Sequence, residues 1–89
     1  MNAIDILRKL MRSKKISQAE LAENIDGWKQ SNVTGVLNNS KGNVRVANFY
    51  QMLDAMDCEL VVRNKETSEE WVVKYTDYEI EQLKPKRKK

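Results

Sequence analysis

Ile16-Ser17-Gln18-Ala19-Glu20-Leu21-Ala22-Glu23-Asn24-Ile25-Asp26-Gly27-Trp28-Lys29-Gln30-Ser31-Asn32-Val33-Thr34-Gly35-Val36-Leu37 is the stretch whose reading decides the fold. Ser17 followed three residues later by Glu20 has the form of a capping box, in which each side chain satisfies the other's free backbone N–H at a helix start. Leu21, Ala22 and Ile25 continue at helical spacing, and Asp26-Gly27 tolerates positive φ, which predicts a helix of about two and a half turns closed by a tight turn. Beyond the turn, Val33, Val36 and Leu37 form a narrow apolar stripe, while Gln30, Ser31, Thr34, Gly35 and Asn38 fill the opposite face. That face holds no Asp or Glu. It carries amides and hydroxyls, which bond to base edges without demanding a salt partner, where a solvated surface helix would normally show charged pairs.

Working outward, Ile4, Leu7, Leu10 and Met11 recur at helical spacing and predict a first amphipathic helix, ended by Lys14 and Lys15. Residues 39–45 form a polar loop with two positive charges, and Phe49, Met52, Leu53 and Met56 predict a fourth helix at i, i+3, i+4, i+7. After Asp57 the period changes to alternation. Cys58, Leu60 and Val62 oppose Glu59, Val61 and Arg63, and Trp71, Val73 and Tyr75 oppose Val72 and Lys74, which predicts two strands joined by the polar segment Asn64 to Glu69. Cys58 is expected to be a small apolar residue starting a buried strand. One side of the hairpin is expected to cover the helices at Phe49, Met52 and Leu53. The other, holding Val61 and Val72, then wants a partner. Thr76 to Leu83 reads as one or two further helical turns, and Lys84 to Lys89 as a disordered basic tail.

The whole is 89 residues, enough for one small domain. Its net charge of +3 hides an uneven distribution: residues 1–45 carry +4, residues 46–83 carry −6, and Lys84 to Lys89 add five positive charges. A polyanion is expected to approach the first half or the tail. With no His and a single Cys, the Ser-His, Cys-His and His-zinc chemistries have no residues to work with, and no intramolecular disulfide can form. Glu69 and Glu70 read as solvated surface. The three glycines are isolated, so no glycine-rich phosphate loop can be built, and no cofactor, metal or enzymatic activity is expected. Nothing resembles a secretory or transmembrane segment, and a cytoplasmic location is expected.

The strings Ser17-Gln18-Ala19-Glu20-Leu21-Ala22 and Gln30-Ser31-Asn32-Val33-Thr34-Gly35-Val36-Leu37 resemble the helix-turn-helix of the Cro/repressor (XRE) family, over roughly residues 3–60. The resemblance implies a mainly α fold, with a four-helix Cro/repressor-like domain over 1–57, a β-hairpin dimerisation element over 58–76, and a polar segment with a basic tail over 77–89. It implies base contacts from Gln30, Ser31, Thr34 and Asn38, and backbone contacts from Ser17, Gln18, Lys29, Asn32, Lys41, Asn43 and Arg45. With the two-sided apolar pattern of Leu60, Val61, Val62, Trp71, Val72 and Val73, it further implies a homodimer through these residues on a palindromic double-stranded DNA operator, acting as a repressor of phage or mobile-element type. The sequence departs from the family's pattern in three places. The turn at Asp26 to Lys29 is about one residue longer, Gly35 stands where a long polar reader is usual, and the hairpin extends the minimal domain. Trp28 is expected to plug the turn from beneath. The competing expectation is a protein-interaction module, such as an antitoxin or inhibitor that keeps the fold while its acidic half grips a protein partner.

Overall fold

The computed structural model describes residues 1–75, so the expectations for Thr76 to Leu83 and for the basic tail lie outside the described residues. The chain divides into two units, Met1–Cys58 and Glu59–Lys89. Four helices make up the first: α1 (Ala3–Lys14), α2 (Gln18–Glu23), α3 (Gln30–Leu37) and α4 (Val46–Ala55). The second holds an antiparallel hairpin of β1 (Leu60–Arg63) and β2 (Glu70–Val73).

Local chemistry sets the helix ends. α1 starts with a capping box of its own: the Asp5 backbone N–H donates to Asn2 Oδ1 at 2.8 Å, and the Asp5 carboxylate accepts the Asn2 backbone N–H. α2 starts with the expected one, where the Glu20 N–H donates to Ser17 Oγ (3.1 Å) and the Ser17 N–H to Glu20 Oε1 (3.0 Å). Two helices end in a left-handed residue followed by a bond back over the last turn. Lys15 (φ 56°) follows α1, with the Ile16 N–H donating to the Met11 carbonyl, and Asp57 (φ 60°) follows α4, with the Cys58 N–H donating to the Leu53 carbonyl.

The core sits inside the helical unit. Leu7, Leu21, Val33 and Met52, one from each helix, are fully buried, with Ile4, Met11, Leu37, Leu53 and Met56 close behind. Removing each such side chain from water contributes about 1.5–3 kcal/mol before conformational entropy is set against it. No described polar or charged side chain is buried, so this core is held by apolar packing alone.

Several expectations are corrected. α2 spans six residues and ends at Glu23, because the chain leaves helical geometry at Asn24. Ile25 is still buried, but from the turn. In that turn the Trp28 N–H donates to the Ile25 carbonyl, and Gly27 has the expected positive φ of 79°. Trp28 is only half-buried, as is Val36, which leaves Val33 and Leu37 as the buried positions of α3. Cys58 does not start a strand. Its N–H closes α4, and its side chain is half-buried with Sγ 3.5 Å from the Met56 carbonyl.

In the hairpin, Leu60 pairs with Val73, Val61 with Val72, Val62 with Trp71 and Arg63 with Glu70. Opposed residues share a face, so Val62 and Trp71 lie on one side and Val61 and Val72 on the other. Val62 and Trp71, expected on a covered face, are 53% and 48% exposed, as open as Val61 and Val72 at 43% and 44%. The loop is tied by the Asn64 side chain, which accepts the Glu66 N–H at 3.0 Å, and by the Ser68 N–H donating to the Asn64 carbonyl at 2.8 Å. Among the described residues no helix is long and apolar enough to cross a membrane.

Candidate nucleic-acid interface

α2 and α3 pack against each other across the turn of residues 24–29, which brings the start of α2 beside the middle of α3. One side-chain contact joins them directly: the Thr34 hydroxyl donates to Gln18 Oε1. Gln18 and Thr34 are both half-buried. The candidate phosphate contact and one candidate base reader are thus a coupled pair.

The same pattern recurs in the other amides of this surface. Asn32 Oδ1 accepts the Lys29 backbone N–H at 2.7 Å, so Asn32 reaches back to close the N-terminus of α3. Asn38, at the C-cap, accepts from Arg8 Nη2 at 3.3 Å. Asn39 accepts the Lys41 N–H at 2.9 Å. In these four amides the carbonyl oxygen accepts from a donor of the fold, and no hydrogen bond of the NH2 group is among those described. An amide held this way has both N–H donors free, and these suit phosphate oxygens, guanine O6/N7 and thymine O4. Gln30 differs. It is exposed, no hydrogen bond of its side chain is among those described, and it offers both an acceptor and a donor.

At about 3.6 residues per turn, Gly35 falls opposite the Val33 and Leu37 stripe, at the crest of the exposed face. Ser31 stands beside it, exposed, one turn nearer the N-terminus. Asn38 lies about 12 Å along the axis from Gln30, so the four candidate base readers span both ends of the helix rather than one patch. Arg8 fixes that far end: its Nη2 also donates to the Leu37 carbonyl at 3.0 Å, satisfying an orphan acceptor where the helix dipole is negative.

The loop candidates separate. Asn43 and Arg45 line a groove of about 360 Å³ together with Ser31, Asn32, Gly35 and Asn39, whereas Lys41 is exposed on the turn and does not line it. The turn is fixed by the Gly42 N–H donating to the Asn39 carbonyl at 3.0 Å, with Gly42 at φ 71°. A side chain at Gly42 would press on Asn2 of the α1 cap, 3.3 Å from where its Cβ would sit. Lys29 is the exposed N-cap of α3, and Ser17 is committed to the α2 cap. Sequence reasoning passes over Arg8, Asn39 and Asn48 of the groove wall. The adjacent Asn38-Asn39 ahead of Lys41-Gly42 is the turn signal that marks Asn39. Nothing in the sequence marks Arg8, whose partner is 29 residues away.

The dimer candidates all lie in the hairpin, where Leu60 and Val73 are half-buried and the four central residues are exposed. No family model matches the chain, and no curated protein or solved structure matches it.

Proposed function

We propose that this chain is a sequence-specific DNA-binding regulator of the Cro/repressor helix-turn-helix type, which binds a palindromic operator as a homodimer and represses by occluding a promoter. The observation that carries this reading is the acid-free outer face of α3, together with the amides of Gln18, Asn32, Asn38 and Asn39, whose oxygens the fold engages while their N–H donors are free. An α-helix with its side chains is about 10–12 Å across, which matches a major groove about 12 Å wide. With α3 in that groove, Gln30 and Ser31 meet base edges from its first turn. Gln30 has both ends free and is suited to adenine, whereas Asn38, whose oxygen already accepts from Arg8, is suited to donate to guanine or thymine. Gln18 holds a phosphate through its NH2 while its oxygen fixes Thr34, so backbone grip and base readout are set by one hydrogen bond. Ser17 supports Gln18 by capping, and Lys29, Asn32, Lys41, Asn43 and Arg45 contact the flanking phosphates.

The hairpin supplies the two-fold. On the Val61 and Val72 face the register sets Arg63 opposite Glu70. Turning a second copy over about the strand axis sets each Val pair on its counterpart and each Arg63 on a Glu70. That charge pattern is self-complementary. The apolar pairs supply the attraction and the ion pairs fix the register.

A specific observation favours a second reading, in which the acidic stretch of residues 46–83, net −6, and the exposed hairpin grip a basic protein. Salt separates the two. A DNA-binding regulator selects one duplex sequence and loses affinity steeply with salt, whereas an interaction module binds DNA weakly and without sequence preference.

A further inference from the structure

Gly35 stands inside an eight-residue helix, where glycine is a poorer helix former than any residue but proline. The fold gives no reason for it. Gly35 is exposed, a Cβ built there meets nothing within 4 Å, and its φ is not among the positive values of the chain. What the missing side chain does is keep a groove open. Gly35 lines the 360 Å³ groove together with Ser31, Asn32, Asn43 and Arg45.

The lining chemistry points to the occupant. No carboxylate lines the groove, and Arg45 is its one charged side chain. Asn32 and Asn39 each turn a carbonyl oxygen inward onto a backbone N–H, so both offer NH2 donors. A groove whose polar lining is a serine, four asparagines and one cation, with no carboxylate and no side chain at Gly35, fits an acceptor-rich, singly charged ligand. From this, and resting on the DNA-binding reading above, we infer that Gly35 is a docking point. One phosphodiester of the operator backbone seats against the α3 main chain at Gly35, its oxygens held by Asn39, Asn32 and Arg45. The absence of a side chain thus sets how deeply α3 enters the major groove.

The test uses the full chain and a duplex enriched by it from a random library. Gly35→Ala is expected to raise the melting temperature by about 4 °C, since helix propensity improves and nothing is displaced. Its affinity for the same duplex is expected to fall about tenfold, because the added methyl overpacks the contact. Asn39→Asp keeps the acceptor for the Lys41 N–H but replaces the outward donor by an anionic oxygen, and it should lose affinity without losing stability. Replacing phosphates one at a time by neutral methylphosphonate should then reveal a position at which wild type is weakened and Asn39→Asp is not. Unchanged affinity in Gly35→Ala, or a lower melting temperature, overturns the docking point while the DNA-binding reading stands. Failure of wild type to enrich any duplex overturns that reading, and the docking point with it.

Discussion

Asn32 shows how one side chain serves both the fold and the proposed interface. Its oxygen closes the first turn of α3 through the Lys29 N–H, and the residue also lines the groove. Asn32→Asp should retain the cap, add a favourable charge at the helix N-terminus, and stabilise the protein by about 0.5 kcal/mol in urea denaturation. In the same variant DNA affinity should drop, since the outward donor becomes an anion. Equal or improved binding would remove Asn32 from the interface. Gln30 has no fold role to confuse its effect, so Gln30→Ala should cost about 1–3 kcal/mol on the enriched duplex and little on random DNA. Glu20 gives a pH handle. The Ser17 backbone N–H, helped by the Ser17 side chain, holds its carboxyl below the ordinary 4.5. A carboxyl depressed in the folded state adds stability that is present above the unfolded value and lost as pH falls through the folded one. Urea midpoints followed from pH 6 downward should therefore fall for wild type in a way that Glu20→Gln does not reproduce.

The element scale shows why parts of this molecule are legible in its sequence and parts are not. The Ser17 and Glu20 box and the Gly27 turn are local devices, complete within a few residues, and the structure contains both. The end of α2 is misjudged because Ile25 keeps helical spacing while the chain has already turned, and a turn residue can be as buried as a helical one. The Asn2 and Asp5 box is the same device in residues that apolar periodicity does not pick out. The orientation of the amides is not legible at all, because residue type names a donor and an acceptor but only the fold chooses which end is engaged. Helix ends offer an independent check. Lys15 sits in left-handed backbone, at a position where a Cβ costs about 1 kcal/mol. Lys15→Gly should raise stability by about that amount, and a loss in the urea midpoint would contradict the proposed closure of α1.

At the scale of the whole molecule, the account joins an α3 face that lacks acids to a hairpin that is apolar on both sides. Val61, Val62, Trp71 and Val72 are each about half exposed, and a two-stranded ribbon is marginal in water without further burial. Replacing Val61 and Val72 by Lys should set like charges against each other across the proposed two-fold. In sedimentation, wild type at micromolar concentration is expected near twice the 10.4 kDa chain mass, and the double variant at the chain mass. A two-fold assembly places its recognition helices about 34 Å apart, one turn of duplex, or a multiple of it. That spacing links the hairpin to the operator. The most direct test is therefore selection of duplexes from a random library by the full-length protein, followed by affinity measurement across a salt series. The account predicts enrichment of an inverted repeat with half-sites one helical turn or a multiple apart, bound with an affinity that falls steeply as salt rises. No enriched sequence, with equal and weak binding to every duplex, would contradict it.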